Sequence, residues 1–162
     1  MLILSPFFEL VEITNMPLYK LILKTIFTAL LCYFPIQNNL AQKKTKVMIT
    51  STVDQTEHPC YVILPRGYEK TNNTDKIPLL ISLHSWSAGL EQAKPELEKQ
   101  AIKLGWIYVF PHFRGPNQTP DACGSELAQQ DILDAVIWAK QNYRVDHSRI
   151  YLTGASGGGH MT

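Results

Sequence analysis

The chain has 162 residues, a formal net charge of +1 and a hydrophobic share of 45%. That length suits one domain and not two, and that apolar share argues against disorder. No basic stripe or acidic block runs through it, which excludes nucleic acid as an expected partner.

The first expected element is an export signal. Met16 opens a short basic region with Lys20 and Lys24, and an apolar run follows from Thr25 to Phe34. Pro35 ends the run, and Asn38-Asn39-Leu40-Ala41 supplies a small residue suited to cleavage. This is the basic, apolar, cleavage order of a secretory signal. A stable membrane span is not expected, because a spanning helix needs about 20 apolar residues and this run is bounded by Lys24 and Pro35. Glu9 and Glu12 fit no signal, so translation is expected to start at Met16. The expected organisation is residues 1–41 as extension and signal, and residues 42–162 as the N-terminal part of a catalytic domain. Secretion or periplasmic export follows.

Past Ala41, Lys46 to Val53 is β-branched and predicts a strand, and Cys60 to Leu64 predicts its antiparallel partner across the polar turn Asp54–His58. Arg66 to Lys76 is polar and predicts a surface loop. Ile77 to Leu83 is almost continuously apolar, the signature of a strand buried on both faces. A helix is expected from about Leu90 to Leu104, with apolar positions at Leu97, Ala101 and Leu104 and Gly105 as its stop. Trp106 to Phe110 predicts another buried strand. Pro111 to Gly124, with three prolines and two glycines, predicts a long loop. Glu126 to Tyr143 has helical spacing at Leu127, Ile132, Val136, Ala139 and Tyr143. Asp146 and Ser148 predict a turn, and Arg149 to Thr153 a last strand. Alternating β and α of this kind predicts an α/β fold, a mostly parallel sheet with helices on both faces.

That last strand runs into Gly154-Ala155-Ser156-Gly157-Gly158. A serine hydroxyl is a weak nucleophile until it is exposed and a base removes its proton. A Gly-x-Ser-x-Gly turn between strand and helix provides the exposure, with the flanking glycines allowing close packing. Ser156 is the candidate nucleophile, with Gly154 and Gly158 as supports. The Gly157 N–H is the first candidate oxyanion donor, at the positive end of the next helix.

The histidines (His58, His84, His112, His147, His160) and cysteines (Cys32, Cys60, Cys123) are scattered, so no metal and no cofactor are expected. Cys60 and Cys123 could pair in an oxidising compartment, although buried free thiols are the simpler expectation. Asp121, Asp131, Asp134 and Asp146 all precede Ser156 and read as loop, helix-surface or turn residues. Trp106 and Trp138 read as core.

The run from Val47 to Thr162 resembles the prolyl-oligopeptidase-like and esterase branch of the α/β-hydrolase superfamily. The resemblance rests on Pro78-Leu79-Leu80-Ile81-Ser82-Leu83-His84, Pro111-His112-Phe113-Arg114-Gly115, Ala122-Cys123-Gly124, and Arg149 to His160. It implies a secreted serine hydrolase acting through an acyl-enzyme on a small or polymer-linked ester or peptide. It also implies that the second oxyanion donor comes from the loop after Leu83. The family usually has glycine after the loop histidine. Here Ser85 stands there, which leaves Ser85 or Trp86 as the donor, Trp86 being favoured. His84 is implied to hold the loop and not to act as the base. His160, inside the helix after Ser156, is not the expected base, because the triad order is Ser, Asp, His.

The acid and base would therefore follow Thr162, which implies a fragment, a misread frame or a truncated relic that is inactive alone. Only 35 residues run from 42 to 76. A β-propeller of blades of about 40 residues each does not fit there, which favours an esterase over a propeller-bearing peptidase. The alternative of another class is a non-catalytic, partner-dependent product.

Overall fold

The computed structural model describes residues 42–68, 74–92 and 94–162. The expected signal sequence lies outside the described residues. The order is β1 (Lys44–Thr50), β2 (Glu57–Ile63), β3 (Ile77–Leu83), α1 (Pro95–Leu104), β4 (Ile107–Pro111), α2 (Glu126–Asn142), β5 (Val145–Gly154) and a short α3 (Gly157–His160).

The strands form one sheet in the order β1-β2-β4-β3-β5. β1 pairs antiparallel with β2, and β2 antiparallel with β4. β3 lies parallel between β4 and β5. The sheet is thus mixed, with its parallel part on the side that carries the serine turn. The connections β3–α1–β4 and β4–α2–β5 are crossovers, and they put helices on both faces, as the alternating pattern predicts.

Alternation along β3 makes the two faces visible. Leu79, Ile81 and Leu83 join Val62, Val109, Phe113, Ile132, Ala135 and Ala139 in the larger core beneath α2. Leu80 points the other way, to Tyr108, Phe110, Ala101 and Leu97 beneath α1. Both faces of β3 and β4 are covered, which is why these strands read as near-continuous apolar runs.

The helix ends follow local chemistry. α1 starts at Pro95, later than the expected Leu90. Proline lacks the N–H that a first helical turn leaves unpaired, so it fits there. The residues before it are held in a loop by side-chain bonds: Gln92 Oε1 accepts from the Ser85 N–H at 2.7 Å, and Glu91 Oε1 from the Gly89 N–H at 2.6 Å. Gly105 ends α1 in the left-handed region at φ 72°. α2 is capped by Ser125, whose Oγ accepts from the Ala128 N–H at 3.0 Å. Tyr143 caps the far end and is not part of the helix.

Three expectations need correction. The hairpin strands sit two to three residues earlier than expected, because Thr52–Asp54 form the turn. β5 begins at Val145 and not Arg149; the expected Asp146–Ser148 turn is present, with Asp146 Oδ1 accepting from the Ser148 N–H at 2.9 Å, but inside the irregular start of the strand. Asp131 and Asp134 are not helix-surface residues. They are 5% and 4% exposed, and they tie α2 to the hairpin. Asp134 accepts from the Thr52 N–H at 2.7 Å, and Asp131 Oδ2 lies 2.9 Å from Arg114 Nε.

Candidate active site

The turn between β5 and α3 places Ser156 at φ 54° and ψ −122°, and leaves it exposed. A serine in this region costs about 1–3 kcal/mol and persists only where its surroundings over-determine it. Those surroundings are close-packed backbone. A Cβ on Gly154 would collide with the Gly158 carbonyl. A Cβ on Gly158 would lie 2.7 Å from the Leu83 oxygen and 2.8 Å from the His84 oxygen. The spacing read from the sequence therefore has a steric cause at both ends: the start of α3 lies directly on the end of β3.

Gly157 meets the loop after β3. A Cβ there would lie 2.5 Å from the Trp86 backbone nitrogen and 3.0 Å from its Cα. The Gly157 and Trp86 amides are thus neighbours beside Ser156. The Ser85 N–H, the other candidate, is occupied by Gln92 Oε1. Trp86 is 52% exposed.

His84 is fully buried beneath this loop. Its ring stacks on Phe113 with centroids 4.0 Å apart and 3° between planes, and its Nδ1 lies 3.3 Å from the Ser85 oxygen. Burial lowers its pKa to about 4, partly offset by that backbone oxygen. It is neutral at pH 7. Next to it, His112 is likewise lowered by burial. Its Nε2 sits 2.8 Å from where a Gly89 Cβ would be, so Gly89 leaves it room. His160 stands in α3, with its Nε2 against Gly124.

Two residues of the loop after β4 make contacts that the sequence did not signal, although Arg114 lies in a segment that carries the family resemblance. Asn117, in the loop between β4 and α2, is fully buried and donates from Nδ2 to the Gly157 oxygen at 3.0 Å. Arg114 binds Asp54 at 2.5 Å, Ser51 Oγ at 3.1 Å and Asp131 at 2.9 Å, which fixes the start of the same loop. A lone polar residue in a proline-rich stretch reads as solvent-facing until the loop's path is known.

Among the described residues no group of three or more histidine, cysteine or acidic side chains could hold a metal, and no helix is long and apolar enough to cross a membrane. Cys60 and Cys123 are free thiols, and burial pushes the Cys60 pKa up to about 12.

No family model matches the chain. A bifunctional acetylxylan esterase/xylanase of Neocallimastix patriciarum is 31% identical over 99 residues, which is 59% of this chain and 14% of that protein. The acylaminoacyl peptidase of Pyrococcus horikoshii superposes with a TM-score of 0.59 at 24% identity, over 75% of this chain and 20% of that one. The esterase Est22 superposes with a TM-score of 0.54 at 23% identity, over 76% of this chain and 38% of that one. The chain therefore spans between about a seventh and two fifths of these proteins. Residues 42–162 have the α/β-hydrolase fold that such esterases and peptidases share.

Proposed function

We propose that this chain carries the nucleophile half of a secreted serine hydrolase that cleaves carboxylic esters. The observation behind this reading is the conformation of Ser156: a non-glycine residue at φ 54°, on a turn between the parallel strand β5 and α3. Strain of this kind, held by backbone contacts at Gly154 and Gly158, exposes one hydroxyl at a fixed point.

In this reading the Ser156 Oγ attacks the ester carbonyl carbon and passes its proton to a histidine base supplied by chain beyond Thr162. The carbonyl oxygen becomes an oxyanion between the Gly157 and Trp86 N–H groups. The intermediate collapses with loss of the alcohol, leaving an acyl group on Ser156, and water then releases the acid. The committed Ser85 N–H is why Trp86 is the preferred second donor. His84, neutral and stacked on Phe113, supports that loop and takes no proton. No cofactor enters the scheme.

The fold likeness to an acylaminoacyl peptidase supports a second reading, cleavage of a peptide bond by the same steps. The esterase reading is preferred because the relative at 31% identity is partly an acetylxylan esterase. Export is proposed on the order of features from Met16 to Ala41.

In the complete enzyme, Ser156→Ala should abolish labelling by a fluorophosphonate probe and lower turnover by about 10⁶. Labelling retained at the wild-type rate would overturn the assignment. Comparing matched ester and anilide substrates separates the two readings, and a complete enzyme that never labels would leave the non-catalytic alternative.

A further inference from the structure

The loop from His112 to Gly124 crosses from β4 to α2 over the start of α3. It is long, but it is anchored. Arg114 and Gly115 are successive residues at positive φ, 49° and 77°, and they turn the chain sharply. The Arg114 guanidinium is fixed to the hairpin by Asp54 and Ser51 and to α2 by Asp131. Three residues on, Asn117 reaches the Gly157 carbonyl. At the other end, the Gly124 N–H points to the Met161 sulfur at 3.0 Å. The loop therefore holds α3 at both of its ends.

We infer that Asn117 is a positioning residue for the nucleophile turn, acting through its hydrogen bond to the Gly157 oxygen. This rests on the reading of Ser156 as nucleophile and goes beyond it. The bond fixes the plane of the Gly157–Gly158 peptide, the first of α3. Gly157 has no side chain of its own to hold it, and neither has Gly158 or Gly159, so the run Gly157-Gly158-Gly159 has the greatest backbone freedom in the chain. Packing against Leu83, His84 and Trp86 limits that freedom, and the Asn117 donor adds a directional restraint at the Gly157 carbonyl. The bond is wholly buried, so water cannot replace it. Holding the Gly157 carbonyl limits rotation about the residue whose N–H faces the developing oxyanion, and whose neighbour is Ser156 at its unusual φ. Among the described residues the Asn117 Oδ1 has no hydrogen-bond partner. The side chain's polar contribution to the protein is thus the single contact from Nδ2.

The test uses Asn117→Ala and Asn117→Asp in the complete enzyme. The alanine variant has no donor at any pH, whereas the aspartate variant keeps the shape and loses the donor only where its carboxyl is ionised. Both should label with fluorophosphonate at Ser156 about 10–100-fold more slowly, the scale of a misplaced reacting group. The loss should fall on kcat for p-nitrophenyl acetate, with KM changed less than about twofold. For N117D, the labelling rate relative to wild type should recover as pH falls through the carboxyl pKa, because the protonated acid regains an O–H donor. A role in stability alone would move none of these once rates are expressed per folded molecule. An N117A labelling rate within about twofold of wild type at pH 7 overturns the inference. So does failure of both variants to fold, which would make Asn117 a requirement of the fold. If Ser156→Ala still labels, the nucleophile reading fails; if it does not and the Asn117 variants label normally, this inference alone fails.

Discussion

The Leu83 carbonyl oxygen lies 2.7 Å from where a Cβ on Gly158 would sit. The end of β3 and the start of α3 therefore touch backbone to backbone. Gly158→Ala must push α3 away from β3, and overpacking of this kind costs about 1–3 kcal/mol. In the complete enzyme the variant should unfold at lower temperature, and its labelling at Ser156 should fall further than its stability does. Ala155 is the control: it is exposed, so Ala155→Ser should change stability by less than about 0.5 kcal/mol. Equal melting temperatures for Gly158→Ala and wild type would show that the turn tolerates a side chain.

A different prediction concerns Arg114. Its side chain is 10% exposed and that of Asp131 3%, while Asp54 is 37% exposed. Arg114→Ala leaves the Asp131 carboxylate buried without its cation and should cost about 3–5 kcal/mol. Asp54→Ala removes a partner at the surface and should cost much less. Thermal or urea unfolding of the two variants gives the comparison. Similar losses from both would mean that the cluster is not organised around the Arg114–Asp131 pair.

Burial of His84 predicts a pH dependence. Its folded pKa, about 4, lies below the ordinary histidine value of 6.5. The neutral form is favoured in the folded state, so this contribution to stability is complete above 6.5. It is lost as pH falls from 6.5 towards 4, where only the unfolded chain takes the proton. The melting temperature should decline over that window, and His84→Gln should flatten the decline while lowering stability at pH 7 through the lost stack on Phe113. An unchanged slope in the variant would assign the acid sensitivity to other groups.

How much of this was legible in the sequence depends on where the determining contacts lie. β3 was readable to the residue, because burial on both faces leaves a near-continuous apolar run. The serine turn was readable because its steric demands fall on fixed positions, Gly154 and Gly158. The start of α1 was not, since Gln92 and Glu91 have good helix propensity and are drawn instead into side-chain bonds with the Ser85 and Gly89 amides. The contacts of Asn117 and Arg114 were invisible for a different reason. Each acts across more than 15 residues of sequence, Asn117 on Gly157 and Arg114 on Asp131 and Asp54, and no local periodicity encodes such a contact.

The last prediction concerns β5 in isolation. It pairs with β3 on one side and with no strand on the other among the described residues. Tyr151 and Leu152 are 43% and 41% exposed, and on α2 the i, i+4 pair Leu133 and Ile137 is 53% and 44% exposed. A strand with open N–H and C=O groups and apolar side chains is a template for pairing with another chain. A polypeptide of residues 42–162 should therefore associate or aggregate when purified, and should show no esterase turnover. Leu152→Lys places a charge on the open strand and should shift the material towards smaller species, without touching the packed strands β3 and β4. Size-exclusion with light scattering, thermal unfolding and p-nitrophenyl acetate hydrolysis supply the three readings. A monodisperse monomer with a cooperative transition would show that the β5 edge is protected as it stands. Ser156-dependent turnover in that monomer would mean that residues 42–162 already contain a working base.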